Sequence, residues 1–319
     1  MKLSIIVPFY NAEEYLEECL NSLIIDNENI EFLLINDGST DNSLNICQKY
    51  KQENVKIFNN INKGVSYSRN FGINNATGEW IMFVDSDDLL ANDWNITLQK
   101  YYSRGEDIIF FSNNLEKKNT DKKIIIQQCI GFIKNNYSFS SPWSKLYKRE
   151  FLIKNKIYFN EEIINGEDML FNCYCIIAAK KILASKEKIY RYRINSTSST
   201  KKWNEKYILS DLEFRNKLYS KLKQTKLYTL NEINEIEKFI DTNAKIGILQ
   251  RLAYSNDYTF FKKNIKKLKQ YDFKINFKQN VKKSIILLLY DLKLYRLIYI
   301  LLNLKSKGLK HRKFYIVDI

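Results

Sequence analysis

Asp85, Asp87 and Asp88, with Ser86 among them, end the apolar run Trp80-Ile81-Met82-Phe83-Val84. Carboxylates this close repel one another and stay ionised together only where water or a cation offsets the repulsion. Hard divalent cations, with phosphate oxygens as further ligands, are the usual occupants of such clusters. The bland alternative is a turn that caps a short helix before Leu89-Leu90, since Ser and Asp are favoured caps. The chain has a single histidine, His311, so acid–base chemistry falls to carboxylates. Its five cysteines (Cys19, Cys47, Cys129, Cys173 and Cys175) form no Cys-x-x-Cys pair. That pattern argues for thiols in a reducing compartment rather than a disulfide framework or a zinc site.

The elements that must position these residues are legible as periodicity. Leu3–Val7, Glu31–Asn36, Val55–Phe58, Trp80–Val84 and Asp107–Phe111 read as strands. Residues 12–25 carry Tyr15, Leu16, Cys19, Leu20, Leu23 and Ile24 at helical spacing, and another helix runs from Asn62-Lys63-Gly64 to Ala76. Strands alternating with helices over short connections imply an α/β fold with a mostly parallel sheet flanked by helices. Residues 112–160 are less regular, residues 166–179 read as a helix, and Lys186–Arg193 reads as a strand. From about residue 205 the pattern is helical to the end. The expected division is 1–200 as a catalytic domain and 201–319 as a basic helical region. No signal peptide is visible, because the apolar run at residues 3–7 is too short.

Three polar clusters follow three of these strands: Pro8-Phe9-Tyr10-Asn11, Asp37-Gly38-Ser39-Thr40-Asp41, and Asp85–Asp88. Strand ends of a parallel sheet share one edge, so the clusters converge there. A ring, a carboxylate and a metal site in one pocket suit a nucleotide. With Lys63-Gly64-Val65-Ser66 and Arg69-Asn70, this order of motifs over residues 1–200 resembles family 2 glycosyltransferases, with the GT-A fold and inverting transfer.

The resemblance implies roles for particular positions. Pro8 and Tyr10 would border the nucleobase, and Asp37 would accept a hydrogen bond from it, typically from uracil. Asp85 and Ser86 would lie at the ribose or metal, with Asp87 the main ligand of a divalent cation, Mn2+ or Mg2+. Asp88 would be no more than a cap. Lys63 and Arg69 would lie near the nucleotide, or serve as a capping cation and a helix salt bridge. Inverting displacement needs a base for the acceptor hydroxyl and a Lewis acid for the leaving diphosphate. Asp168 would be that base, with Glu167 assisting the acceptor site. The alternative is that Glu167 and Asp168 only favour the dipole of the helix they start. Trp143, in Pro142-Trp143-Ser144-Lys145, would be a sugar-stacking platform or a core residue. Arg193, followed by Ser196–Ser199, would pair with phosphate oxygens or sit on an ordinary edge strand.

Charge divides the chain unevenly. Residues 1–200 are nearly balanced, with 24 Lys+Arg against 25 Asp+Glu; residues 201–319 carry 27 against 11. Residues 281–304 are rich in Leu and Ile but interrupted by Asp291, Lys293 and Arg296, too short an uncharged run to span a bilayer. With Lys282, Lys283, Lys305, Lys307, Lys310, Arg312 and Lys313 around them, they read as an interfacial segment on an anionic membrane. The alternatives are an apolar helical core or a homodimer contact. Nucleic acid fits the charge, but no recognition motif is present, so no nucleic-acid partner is expected.

The expectation is a cytoplasmic, peripherally membrane-associated, metal-dependent transferase. It would move sugar from a nucleotide donor, UDP-linked by the resemblance, to a hydroxyl of a surface-polysaccharide or lipid-linked acceptor. The competing readings are a nucleotidyltransferase on a related fold and a catalytically silent glycan-binding or scaffold protein. The first would need a glycine-rich phosphate loop that Pro8–Tyr15 lacks. The second would need lost carboxylates.

Overall fold

The computed structural model describes residues 2–111, 121–131, 139–194, 206–255, 257–277, 280–307 and 315–318. Ser196–Ser199, Lys310, His311, Arg312 and Lys313 lie outside these, as do the side chains of Lys305 and Lys307.

The chain begins as alternating strands and helices: β1 Leu3–Phe9, α1 Leu16–Leu23, β2 Ile30–Asn36, α2 Ser43–Gln48, β3 Val55–Asn59, α3 Val65–Asn75 and β4 Trp80–Phe83. It continues through β5 Leu89–Leu90, α4 Trp94–Gln99, β6 Ile108–Phe111, α5 Lys122–Cys129, β7 Lys145–Lys148, α6 Arg149–Lys154, α7 Glu167–Ala178, β8 Ile182–Ser185 and β9 Tyr190–Ile194. Helices α8 Lys206–Gln224, α9 Leu230–Ala253, α10 Tyr258–Ile265, α11 Val281–Asp291 and α12 Tyr295–Lys307 follow, and then β10 Tyr315–Asp318.

Seven strands form one sheet in the order β3-β2-β1-β4-β7-β6-β8. The pairs β1–β2, β2–β3, β1–β4 and β6–β8 are parallel, whereas β7 runs antiparallel to both neighbours. All seven residues of β1 and of β2 are buried, as mostly apolar strands covered on both faces should be, and buried Ser4 and Glu31 are hydrogen-bonded to each other at 2.6 Å. Pro8 is tolerated in the central strand because it lies beyond Ile6, the last residue of β1 paired with β4. Helix α3 lies close against β1 and β2 because residue 72 is glycine. A Cβ there would come within 2.4 Å of Ile6 Cγ2.

Two compact units result. One comprises residues 1–161, 167–194 and 315–319; the other comprises 162–166 and 195–314. The second has its own apolar core, in which Leu249, Leu252, Phe261, Ile265 and Ile298 are buried. Its long helix α9 starts at a capping box between Thr229 and Glu232.

Three expectations change at this level. The pattern is not helical to the end, since β10 pairs antiparallel with β9, Tyr315 against Ile194. Residues 186–193 are not one strand: β9 begins at Tyr190, after β8 has ended at Ser185. The 85–88 turn caps no helix, because it leads into β5, and α4 begins only at Trp94.

Candidate functional site

Register brings the three strand-end clusters together. Phe9 pairs with Asn36, so Tyr10 and Asp37 leave the sheet side by side, and the Asp37 N–H donates to the Phe9 carbonyl at 2.9 Å. Val84 N–H donates to Ile6 O at 3.0 Å, which sets Asp85 just past the same edge. Asn11, at φ 48°, accepts from the Thr40 N–H at 2.8 Å and donates its own N–H to Ser39 Oγ at 3.0 Å. That conformation suits Asn better than most side chains.

These loops enclose a cavity of about 280 Å³. Pro8, Tyr10, Asp37, Arg69, Asp85, Ser86 and Asp87 all line it, joined by Val65 and Ser68 from α3. Tyr10 presents a half-exposed ring, 48% accessible. Asp37 is 4% exposed, and its two carboxylate oxygens accept from the backbone N–H groups of Lys63 and Gly64 at 2.9 and 2.8 Å. The turn it holds needs Gly64 at φ +95°, a conformation most side chains avoid. Lys63 therefore contributes through its backbone. Its side chain does not line the cavity but lies over the Tyr67 ring, 4.5 Å from the centroid.

Arg69 lies in the wall of the cavity. It is 3% exposed, and its Nη2 donates to Asp85 Oδ1 at 2.8 Å while its Nη1 donates to Asp168 Oδ1 at 2.6 Å. Its guanidinium also lies over the Phe159 ring at 5.1 Å. The sequence suggested either a nucleotide contact or a helix salt bridge. Its ion pairs join the end of β4 to α7, across residues distant in sequence, while the side chain still lines the cavity. Glu167 and Asp168 open α7 directly after Gly166, whose φ of +95° turns the chain into the helix. Desolvation raises the Glu167 carboxyl to about 8, with the Asp168 charge adding to it. Desolvation also raises Asp168, but Arg69 opposes this. At about 8 the Glu167 carboxyl is largely protonated at neutral pH, while the charge and hydrogen bond of Arg69 favour the carboxylate form of Asp168, the kind of separation that defines acid and base roles. Asp168 does not line the cavity and reaches its wall through Arg69.

The turn 85–88 is fixed from β9. Tyr190 Oη donates to Asp88 Oδ2 at 2.7 Å and accepts from the Asp85 N–H at 3.1 Å; the Arg193 N–H donates to Asp88 Oδ1 at 2.8 Å. Asp88 is fully buried, so burial first, and then Asp85 and Asp87, push it up to about 8. Asp88 is therefore a buried anchor for β9, which no local pattern announced. Arg193 is already engaged: Nε donates to the Asp87 carbonyl at 2.8 Å and Nη2 donates to Glu18 at 2.5 Å.

Trp143 corrects an expectation. It is 3% exposed and stacks on Tyr190 at 4.8 Å and Tyr192 at 5.4 Å. Its ring is packing for β9 and offers no open face to a sugar.

Among the described residues, no three His, Cys, Asp or Glu side chains are grouped to hold a metal ion. Asp85 and Asp87 share the cavity wall, and one oxygen of Asp85 is taken by Arg69. Two carboxylates do not make a protein-only cage. They do fit a cation that draws its remaining ligands from phosphate and water, and their charges add to burial in raising the Asp88 carboxyl.

A family model, Glycosyl transferase family 2, matches residues 4–172. Glycosyltransferase GlyA of Streptococcus pneumoniae is 32% identical over 232 residues, 65% of this chain, and the match spans only 32% of GlyA's own length. TarS of Staphylococcus aureus, a poly(ribitol-phosphate) β-N-acetylglucosaminyltransferase, is 28% identical over 60% of this chain and 35% of its own. The structure of TarS residues 1–349 with UDP-GlcNAc aligns over 99% of this chain and 97% of that one, with a TM-score of 0.55 at 19% identity. A mannosyltransferase from Pyrobaculum calidifontis with GDP-Man and Mn2+ aligns over 97% and 88%, with a TM-score of 0.53 at 13% identity. At those identities the two structures speak for the fold alone.

Proposed function

The chain belongs to glycosyl transferase family 2, and from that premise we propose that it moves a sugar from a UDP-sugar to a glycan hydroxyl with inversion. The family assignment sets aside the nucleotidyltransferase reading. The observation that carries the proposal is Arg69, which ties a cavity carboxylate, Asp85, to a second one, Asp168, outside it. Donor site and base are thereby held in one frame.

In this reading Pro8 and Tyr10 border the nucleobase, and Asp37 fixes the Lys63-Gly64 turn beside it. Asp87 and Asp85 would hold a divalent cation, which when bound neutralises charge on the diphosphate. Asp168 takes the proton of the acceptor hydroxyl as that oxygen bonds to the anomeric carbon and the bond to the diphosphate breaks, releasing UDP. Glu167, carrying its proton near neutrality, donates a hydrogen bond within the acceptor site. The names of TarS support this direction: a β-product from UDP-GlcNAc, an α-glycoside, is an inversion. By the same analogy the acceptor is a surface polymer or a lipid-linked saccharide.

Asp168→Asn should lower transfer by about 10²–10⁴-fold, the range of general-base catalysis, with UDP affinity unchanged by calorimetry. Loss of UDP affinity instead would put Asp168 in the donor site and end the base assignment.

We also propose that α11 and α12 rest on the cytoplasmic face of an anionic membrane. Among the described residues no helix is long and apolar enough to cross one. Yet Ile285, Leu288, Leu297 and Leu301 on these two helices, and Leu292 and Leu294 in the turn that joins them, are exposed, with exposed Lys282, Lys293 and Arg296 among them. Apolar faces bordered by lysine suit an anionic interface. Deleting residues 281–319 would also remove β10, so the test uses Leu288→Glu with Leu297→Glu. Sedimentation with phosphatidylserine vesicles should be lost. Unchanged sedimentation, or loss of a dimer in its place, overturns the membrane proposal.

A further inference from the structure

The helical unit contains a second cavity, of about 340 Å³, within the roughly 300–1,000 Å³ range of small-ligand pockets. Three rings line it, Tyr271, Phe273 and Tyr290, together with Lys245 of α9. Lys245 is 8% exposed, and among the described residues it makes no hydrogen bond or ion pair; the charge that acts on it from further off is Asp291. Its ammonium lies 4.0 Å from the Tyr290 ring centroid and 5.9 Å from that of Phe273. The Tyr290 hydroxyl is buried with no hydrogen-bond partner. The Tyr290 hydroxyl is thus a donor held out of water with no acceptor, and beside it the Lys245 ammonium lies against the rings of the cavity wall. Unpaired buried donors are costly and ordinarily avoided.

The remaining lining residues narrow the ligand. Lys269 adds one positive charge, while Asp272 and Asp291 add two negative ones, so the cavity is neutral in sum. A nucleic acid or a nucleoside diphosphate would meet both aspartates and gain little. One anionic group on a polyhydroxylated body meets every part of the wall: its oxygens take the two donors, its hydroxyls donate to the aspartates, and its C–H face packs on the rings. We propose that this cavity binds a phosphorylated sugar or polyol unit, with the phosphate on Lys245 and Tyr290. The proposal does not depend on the transfer chemistry assigned to the strand-end cavity.

The test is calorimetry on the full chain with glucose 1-phosphate, glucose and inorganic phosphate, each with UDP present at saturation. Glucose 1-phosphate should bind at one site and more tightly than either of the others. Lys245→Met should weaken it at least about tenfold, the worth of a charged hydrogen bond. Its melting temperature should hold or rise, since it removes a desolvated charge. Tyr290→Phe should weaken binding several-fold and stands as the test if the first variant does not fold. Asp87→Ala should leave the affinity unchanged. Equal binding by Lys245→Met and wild type, no binding of glucose 1-phosphate, or a loss caused by Asp87→Ala would each overturn the proposal. Phosphate alone binding as tightly as glucose 1-phosphate would remove the saccharide from it.

Discussion

Each unit of the molecule contains a buried arginine clamped between two aspartates, and the two clamps differ in what surrounds the acids. In the strand–helix unit Arg69 holds Asp85 and Asp168, whose side chains remain 29% and 28% exposed. In the helical unit Arg215 holds Asp211 at 3.0 Å and Asp241 at 2.6 Å, with those acids only 14% and 5% exposed. Asp241 also accepts from the Tyr219 hydroxyl at 2.6 Å and the Lys274 N–H at 2.8 Å, and the Arg215 guanidinium lies over Phe273 at 4.6 Å. The same ion-pair chemistry therefore serves two ends. Where the acids are sealed, the arginine is a rivet between α8 and α9. Where they stay partly open beside a cavity, it becomes a jig that sets one carboxylate relative to another. The guanidinium's burial is nearly equal in the two cases, so exposure of its partners is what distinguishes site from scaffold.

That contrast breaks most visibly at Arg215. Arg215→Met leaves Asp241 buried without its charge partner and should cost about 3–5 kcal/mol, read as a fall in urea midpoint, with turnover per folded molecule preserved. Arg69→Met should do the reverse: its acids can rehydrate, so stability falls less, while kcat drops about 10²-fold, as for a displaced catalytic group. A larger stability loss at Arg69 than at Arg215 would erase the distinction. A smaller effect comes from Glu167→Gln. The Glu167 carboxyl is held up to about 8, above its ordinary 4.5, so it binds its proton more tightly folded than unfolded. The stability this adds is whole below about 4.5 and lost as pH rises through about 8. Wild type should therefore weaken relative to Glu167→Gln between pH 5 and pH 8.5 in urea titrations; a constant difference would contradict the assigned proton. Least of all, Trp143→Phe should leave the acceptor KM within about twofold while lowering stability by about 1–3 kcal/mol, because the ring packs against β9 rather than a sugar.

What could be read from sequence follows the range of the interactions concerned. Strands β1, β2 and β4 are continuous buried runs, visible without partners, and their shared carboxyl edge brought Tyr10, Asp37 and Asp87 to one cavity. The turn at Lys63-Gly64 was marked by its glycine. Asp88 was misread as a cap because its partners, Tyr190 and Arg193, lie 102 and 105 residues away. For Arg193 the sequence leaves phosphate pairing and an ordinary edge strand both open, because nothing near it announces Glu18, 175 residues earlier. Trp143 is locally indistinguishable from a platform until Tyr190 and Tyr192 stack on it. The alternation Tyr190-Arg191-Tyr192-Arg193 was the one available hint, since it sets both tyrosines on the same face of a strand. The aromatic and β-branched run Tyr315-Ile316-Val317 likewise pointed to β10, against the helical pattern before it.

Strand β10 has a consequence for how the chain is stitched. Because it zips against β9 with Tyr315 opposite Ile194, residues 195–314 leave and re-enter the first unit at neighbouring positions. In topological terms that stretch is a guest inserted into a host, with its two ends stapled side by side. Closing so long a loop costs only slightly more than closing a shorter one, because the entropy grows with the logarithm of its length. The contact is nevertheless among the most non-local in the molecule, which places its formation late in folding. The helical unit also takes in residues 162–166, where the Ile164 N–H donates to Ser210 Oγ at 2.7 Å, so exchanging the guest would mean rewriting that short segment as well as keeping its two ends together.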